Sequence, residues 1–238
     1  MWLWIAATLA AFFVKGLCGF ANTLVFTSVM GFGADNINIS PVELVLGYPS
    51  NVILTWRNRK KLNPRVFVPL SVLVLAGSIP GAFLLKQVNA RYVKIAFGVV
   101  VILMGIEMLT REYAKRQIKN TKAGMVIIGF LAGILCGLFG VGALLAAYVS
   151  RASESTDEFK ANISAVFIVE NTFRLILYSS VGIITAASLK QSLILMPFML
   201  AGLAAGIKCG EIIDEKIAKK LVIVLLIISG AALILMNL

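Results

Sequence analysis

The sequence predicts an all-α integral membrane protein. Eight hydrophobic segments form two homologous halves, segments one and five are broken or re-entrant, and the halves read as inverted repeats. Three observations lead there. First, 60% of residues are hydrophobic and only 14% are charged, where a soluble domain carries roughly 25% charged residues. Second, the apolar residues fall in runs long enough to cross a bilayer. Third, a pattern of small residues is written twice. Leu75-Ala76-Gly77 recurs 125 positions on as Leu200-Ala201-Gly202, and at that offset Gly81 matches Gly206, Gly105 matches Gly230, Arg91 matches Lys216 and Lys94 matches Lys219. Leu17-Cys18-Gly19 recurs as Leu135-Cys136-Gly137.

The segments read as 2–32, 37–56, 66–85, 92–110, 123–149, 161–181, 189–207 and 217–236. They make one membrane domain over 1–238, with a first repeat in 1–110 and a second in 122–238. The N-terminal stretch has no basic n-region and its apolar run outlasts a normal h-region, so it reads as the first membrane segment. Most segments are close to the ~20 residues a crossing needs. The first and fifth are longer. At ~1.5 Å per residue, 2–32 as a single helix would extend roughly 45 Å, past a ~30 Å hydrocarbon core. Both carry glycine midway: Gly16 and Gly19 in the first, and Gly133, Gly137, Gly140 and Gly142 in the fifth. Glycine costs a helix ~1 kcal/mol relative to alanine and permits the turn conformations of a break. Each long segment is therefore expected to be two half-helices.

Basic residues decide between two arrangements. If the broken segments cross, the halves are parallel; if they return to the side they entered, the halves are inverted. With the loop bearing Arg57, Arg59, Lys60, Lys61 and Arg65 inside, the parallel arrangement adds Arg111, Lys115, Arg116, Lys119, Lys122 and Lys190, giving 11 basic residues inside against 9 outside. The inverted arrangement moves Lys190 out and brings in Arg151, Lys160, Lys208, Lys216, Lys219 and Lys220, giving 16 against 4. Lys15 and Arg174 lie within segments and are not counted. Cytoplasmic loops collect Lys and Arg, which favours inverted, re-entrant repeats.

The net charge of +11 is explained by these loops, so nucleic acid is not an expected partner. The chain has no histidine, and its three cysteines lack metal-ligand spacing. Neither a metal nor another cofactor is expected. No hydrolase elbow, Walker loop or CxxC pair is present, and 136–142, though glycine-rich, follows no strand. Enzymatic activity is not expected.

Candidate functional residues cluster at the breaks. A half-helix N-terminus offers unpaired N–H groups and the positive end of a dipole, a ready anion site. Asn22, Thr23 and Thr27 follow the first break after Gly19 and can bind an oxyanion. Gly137, Gly140 and Gly142 let a ligand approach the second; equally, these glycines can serve close helix packing. Lys15 ends the first half-helix, as a counter-charge for an anion or as a helix cap whose stem snorkels. Arg174 lies in segment six with Glu170 four residues before it, the favoured order for a helix pair. That pair is structural, or Arg174 binds an anion and Glu170 is the candidate carrier of a coupling proton. Asn51 and Asn171 occupy corresponding places and can join helices or bind substrate. Glu107 reads as interfacial.

At these residues the chain resembles the TauE/SafE sulfite exporter family, also called the toluene sulfonate uptake permeases. The resemblance rests on the repeated glycine-rich break, on Pro41 opening the next segment, on the basic stretch Arg57 to Arg65, on the Gly77/Gly81 and Gly202/Gly206 pairs, and on the eight-segment plan. It departs from the usual run of consecutive glycines at Phe20-Ala21-Asn22 and Gly142-Ala143-Leu144. The resemblance implies transport of sulfite, an organosulfonate or a related small anion across the cytoplasmic membrane of a prokaryote. The expectation is a secondary transporter working by alternating access, with the lipid bilayer, a small anionic substrate, a coupling proton or ion and a homodimeric copy as partners. An anion channel and a membrane scaffold are the alternatives.

Overall fold

The computed structural model describes residues 1–30, 36–87, 122–139 and 142–212, together with scattered positions between 92 and 110 and between 220 and 235. Among these, all regular structure is helical. The first apolar segment is two helices, α1 (Trp2–Cys18) and α2 (Asn22–Met30); α3 (Asn36–Arg57) and α4 (Pro64–Gln87) follow. The fifth segment is again two helices, α5 (Lys122–Phe139) and α6 (Ala143–Ala152), and α7 (Thr156–Ser180) and α8 (Ala186–Gly210) complete the set. Part of 92–110 and most of 217–236 lie outside the described residues, with Arg91, Lys94, Gly105, Glu107, Lys216, Lys219 and Gly230.

Local chemistry sets the helix ends. Gly19 caps α1 in the left-handed region, φ 84°, and its N–H bonds the Lys15 carbonyl. This is the αL cap that glycine adopts without Cβ strain. Ala21 is also left-handed, φ 71°, so two positive-φ residues in three turn the chain. Trp4 and Phe26 then meet edge to face at 5.9 Å, which requires α2 to run back along α1. Ser155 caps α7 by accepting from the Glu158 N–H, and Asp157 and Glu158 complement the dipole of its first turn. Thr185 and Ser188 form a reciprocal capping box on α8.

Packing pairs α1 with α8 and α4 with α5. Along α8, Gly202 meets Leu9, Gly206 meets Phe13 and Gly16, and Gly210 meets Leu17, so α1 and α8 run in the same direction. Along α5, Gly129 meets Leu73, Gly133 meets Val74 and Gly77, and Gly137 meets Gly81, so α4 and α5 also run together. A Cβ on Gly206 would stand 2.0 Å from the Phe13 carbonyl oxygen, and one on Gly81 2.4 Å from that of Ile134. Backbone touches backbone at both seams, which small residues alone allow. Between the seams α3 and α7 run antiparallel: Leu44 packs with Tyr178, and the Thr172 hydroxyl donates to Tyr48 Oη at 3.2 Å.

The two breaks coincide at one offset. Both Cys18 to Phe139 (helix ends) and Asn22 to Ala143 (helix starts) span 121 positions. The Leu-Cys-Gly tripeptides match at 118 instead. Three residues are nearly one helical turn, so the tripeptide match keeps the same helix face while slipping along the axis.

Polarity is arranged inside out. Lys15, Glu43, Glu170 and Arg174 are all buried, while Trp2, Val72 and Leu193 are 85%, 62% and 69% exposed. Apolar solvent reverses the usual burial preference, and intramembrane charges face a bundle interior. Two described helices are long and apolar enough to cross a membrane, Pro64–Gly81 within α4 and Ala186–Gly210, and α1 is a shorter apolar helix.

Candidate functional site

The start of α2 aims its side chains at a carboxylate. Asn22 Nδ2 donates to Glu43 Oε1 at 2.6 Å and Thr23 Oγ1 donates to the same oxygen at 2.7 Å. The other oxygen, Oε2, lies 3.7 Å from an Arg174 terminal nitrogen. Sequence reasoning passes over Glu43, although the rule that singles out Glu170, a carboxylate inside an apolar segment, applies to it equally. Gly47 follows one turn later on α3, and a Cβ there would stand 3.3 Å from Oε1. The bare backbone of Gly47 leaves room for the carboxylate beside it.

Arg174, on α7, ties the second half to this point. It donates to the Cys136 carbonyl oxygen at 2.7 Å and to Asn171 Oδ1 at 3.3 Å, and its Nε lies 3.5 Å from Glu170 Oε1. Tyr178 lies under the guanidinium at 5.7 Å and donates to the Gly137 carbonyl oxygen at 3.1 Å. The last turn of α5 thus presents carbonyls, the negative end of its dipole, to a cation and a hydroxyl. Among the described residues, Arg174 Nε and Glu170 Oε1 have no hydrogen-bond partner. Buried polar atoms left so are uncommon and costly.

Lys15 is buried in the last turn of α1, with its ammonium 5.9 Å over the Phe12 ring, and it acts electrostatically on Glu43. Two buried cations, Lys15 and Arg174, thus stand with two buried carboxylates, Glu43 and Glu170. Other sequence-predicted residues fall around this cluster. Gly19 lies under the Lys160 side chain. Asn51 is buried two turns beyond Glu43 on α3, and its Oδ1 has no hydrogen-bond partner among the described residues. Thr27 and Ser28 of α2 are buried with hydroxyls in the same condition. Gly142 precedes α6 and faces the Phe167 ring. Gly140 lies outside the described residues.

A cavity of about 280 Å³ opens where α1, α3, α7 and α8 come together, lined by Leu17, Arg57, Asp157, Lys160, Gly210 and Glu211 among others. Arg57 and Glu211 pair at its rim, each side chain more than half exposed. Lys160 reaches from the cavity to the first break, donating to the Gly16 carbonyl oxygen at 3.4 Å.

The family model described as sulfite exporter TauE/SafE matches residues 3–233. No curated protein and no solved structure matches the chain. Members of the matched family are membrane transporters of sulfite and related sulfur anions rather than enzymes. A match over nearly the whole length, on a helical bundle with an apolar exterior and buried charges, means that the chain belongs to the TauE/SafE sulfite exporter family.

Proposed function

We propose that the chain is a secondary transporter moving one small anion, such as sulfite, an organosulfonate or a related carboxylate, across a prokaryotic cytoplasmic membrane by alternating access. One observation carries the reading. Asn22 and Thr23 from the first broken segment and Arg174 from the second half converge, buried, on a single pair of acidic oxygens. Donors arranged this way at a half-helix N-terminus suit an anionic head. Lys15 adds positive charge, Asn51 and Asn171 are polar neighbours on α3 and α7, and Glu170 is a candidate coupling group. Gly19 and Gly142 stand at the breaks, whereas Gly137, expected at the second break, lies inside α5, packs on Gly81 and offers its carbonyl to Tyr178; Gly140 lies outside the described residues.

The halves 1–110 and 122–238 act as inverted repeats of one membrane domain with eight segments. Support comes from the two breaks 121 positions apart, from the fold-back of α2 on α1, and from the reciprocal pairing of α1 with α8 and α4 with α5. Movement of one repeat against the other would expose the site alternately. The cavity bearing Arg57 and Lys160 lies at the basic end of the bundle and serves as the cytoplasmic vestibule.

The test is a thermal-shift screen of the purified protein with sulfite, sulfate, thiosulfate, sulfoacetate, taurine and simple carboxylates, followed by counterflow in proteoliposomes. Stabilisation by at least one anion together with counterflow is expected. Flux without counterflow would indicate a channel, and no stabilisation by any anion a scaffold.

A further inference from the structure

The seat assigned above to the substrate is already filled. Glu43 Oε1 takes hydrogen bonds from both donors at the start of α2, and Oε2 faces Arg174. A carboxylate presents two oxygens on one side, as does one face of a sulfonate or sulfite, so the same donors suit either.

Charge balance decides what happens when substrate arrives. Among the described residues, the buried cluster holds Lys15 and Arg174 against Glu43 and Glu170 and is formally neutral. Adding a singly charged anion leaves one buried negative charge without a partner, and such charges are strongly disfavoured inside a bundle. If Glu43 becomes neutral as the anion enters, the substrate replaces its charge one for one.

Resting on the transport reading, we propose that Glu43 is a tethered competitor of the transported anion: its carboxylate holds the seat in the empty protein and leaves it on taking up one proton, which then accompanies the substrate. The step is a single protonation. A proton from the open aqueous side joins the carboxylate, the bonds from Asn22 Nδ2 and Thr23 Oγ1 pass to the substrate, and no other group changes.

The surroundings fit this assignment. Lys15 faces Glu43 from α1, Asn22 and Thr23 from α2, Arg174 from α7, and Gly47 from its own helix. Glu170 and Tyr178 on α7 and Cys136 on α5 also feel its charge. The Arg174 contact at 3.7 Å is longer than a hydrogen bond, so the carboxylate is held chiefly by the two donors that substrate would claim. The Arg174 Nε is turned to Glu170 Oε1 at 3.5 Å, so the terminal nitrogen beside Glu43 Oε2 is the one that meets the substrate. Glu170 is placed differently. It takes a hydrogen bond from Ser78 and pairs with Arg174 on its own helix, so protonating it frees neither Asn22 nor Thr23, and the coupling role considered for it above falls to Glu43.

The experiment measures methanesulfonate affinity of the purified full chain at pH 5.5 to 8.5. Methanesulfonate remains singly charged across this range, so any pH dependence belongs to the protein. Wild type should weaken with rising pH, approaching tenfold per unit where Glu43 is ionised. Glu43→Gln should bind independently of pH and at least tenfold tighter than wild type at pH 8.5, and Glu170→Gln should keep the wild-type slope. A wild-type slope in Glu43→Gln, or a slope abolished by Glu170→Gln instead, overturns the assignment while leaving transport intact. Failure of the wild type to bind any anion in the screen overturns both readings. A second measurement needs no variant: calorimetry in buffers of different ionisation enthalpy at pH 8.5 should count about one proton taken up per methanesulfonate, and none taken up overturns the proposal.

Discussion

Asn22 and Glu43 are 21 positions apart on different helices, yet the amide of one donates to the carboxylate of the other at 2.6 Å. That bond closes the first broken segment against α3 at the level of Arg174. It makes the start of α2 part of one polar cluster with the second half of the chain.

Removing Arg174 should be the most damaging single change in that cluster. It leaves Glu43 and Glu170 buried without their shared cation, and breaking such a pair costs about 3–5 kcal/mol. Arg174→Met is expected to lower the melting temperature sharply and to abolish anion binding. Adding Glu170→Gln should recover part of the stability and none of the binding. A double-mutant cycle of thermal unfolding, read beside the anion thermal shift, checks both.

The α1–α8 seam depends on glycine at one place and not at another. A Cβ on Gly206 would stand 2.0 Å from the Phe13 carbonyl oxygen, whereas one on Gly210 would meet Leu17 at an ordinary 3.5 Å. Gly206→Ala is expected to cost about 1–3 kcal/mol through overpacking, and Gly210→Ala to be tolerated. Equal melting temperatures for the two variants would contradict the seam.

The first break offers two substitutions of opposite character. Gly19 has φ 84°, and its missing Cβ would stand 2.6 Å from the Lys160 Cγ. Ala21 already pays for a left-handed φ of 71°. Gly19→Ala should lower stability by about 1–2 kcal/mol from backbone strain alone, while Ala21→Gly should not lower it. Denaturation of the two proteins side by side gives the comparison.

The rim pair Arg57–Glu211 is exposed on both sides. Pairs of this kind contribute about 0–1 kcal/mol, so Arg57→Gln should leave the melting temperature almost unchanged. Its effect should fall on entry: anion uptake by proteoliposomes should slow more than equilibrium binding weakens, and more so at low ionic strength, where steering charges act over longer distances. Equal losses in uptake and binding would remove the cavity from the pathway.

What the sequence by itself determined is local. Segments 2–32 and 123–149 were too long for one crossing and held glycine midway, and each is two helices, Trp2–Cys18 with Asn22–Met30 and Lys122–Phe139 with Ala143–Ala152. Backbone rules act over a few residues, so a break can be read where it occurs. Arg174 and Glu170 were legible for a similar reason, because i, i+4 spacing fixes their proximity on one helix. The tertiary structure alone decided which distant groups share a charge. Glu43 carried the same signal as Glu170, but nothing in the spacing of α2 and α3 says that Asn22 and Thr23 would turn to it. Packing also places equivalent contacts 121 positions apart along the two long segments, Ile134 against Gly81 and Phe13 against Gly206. A match of short tripeptides cannot distinguish that from a slip of one turn. Charge pairing and close packing depend on distance in space, and in this fold it is the turn at Gly19 and Ala21 that converts separation along the chain into contact.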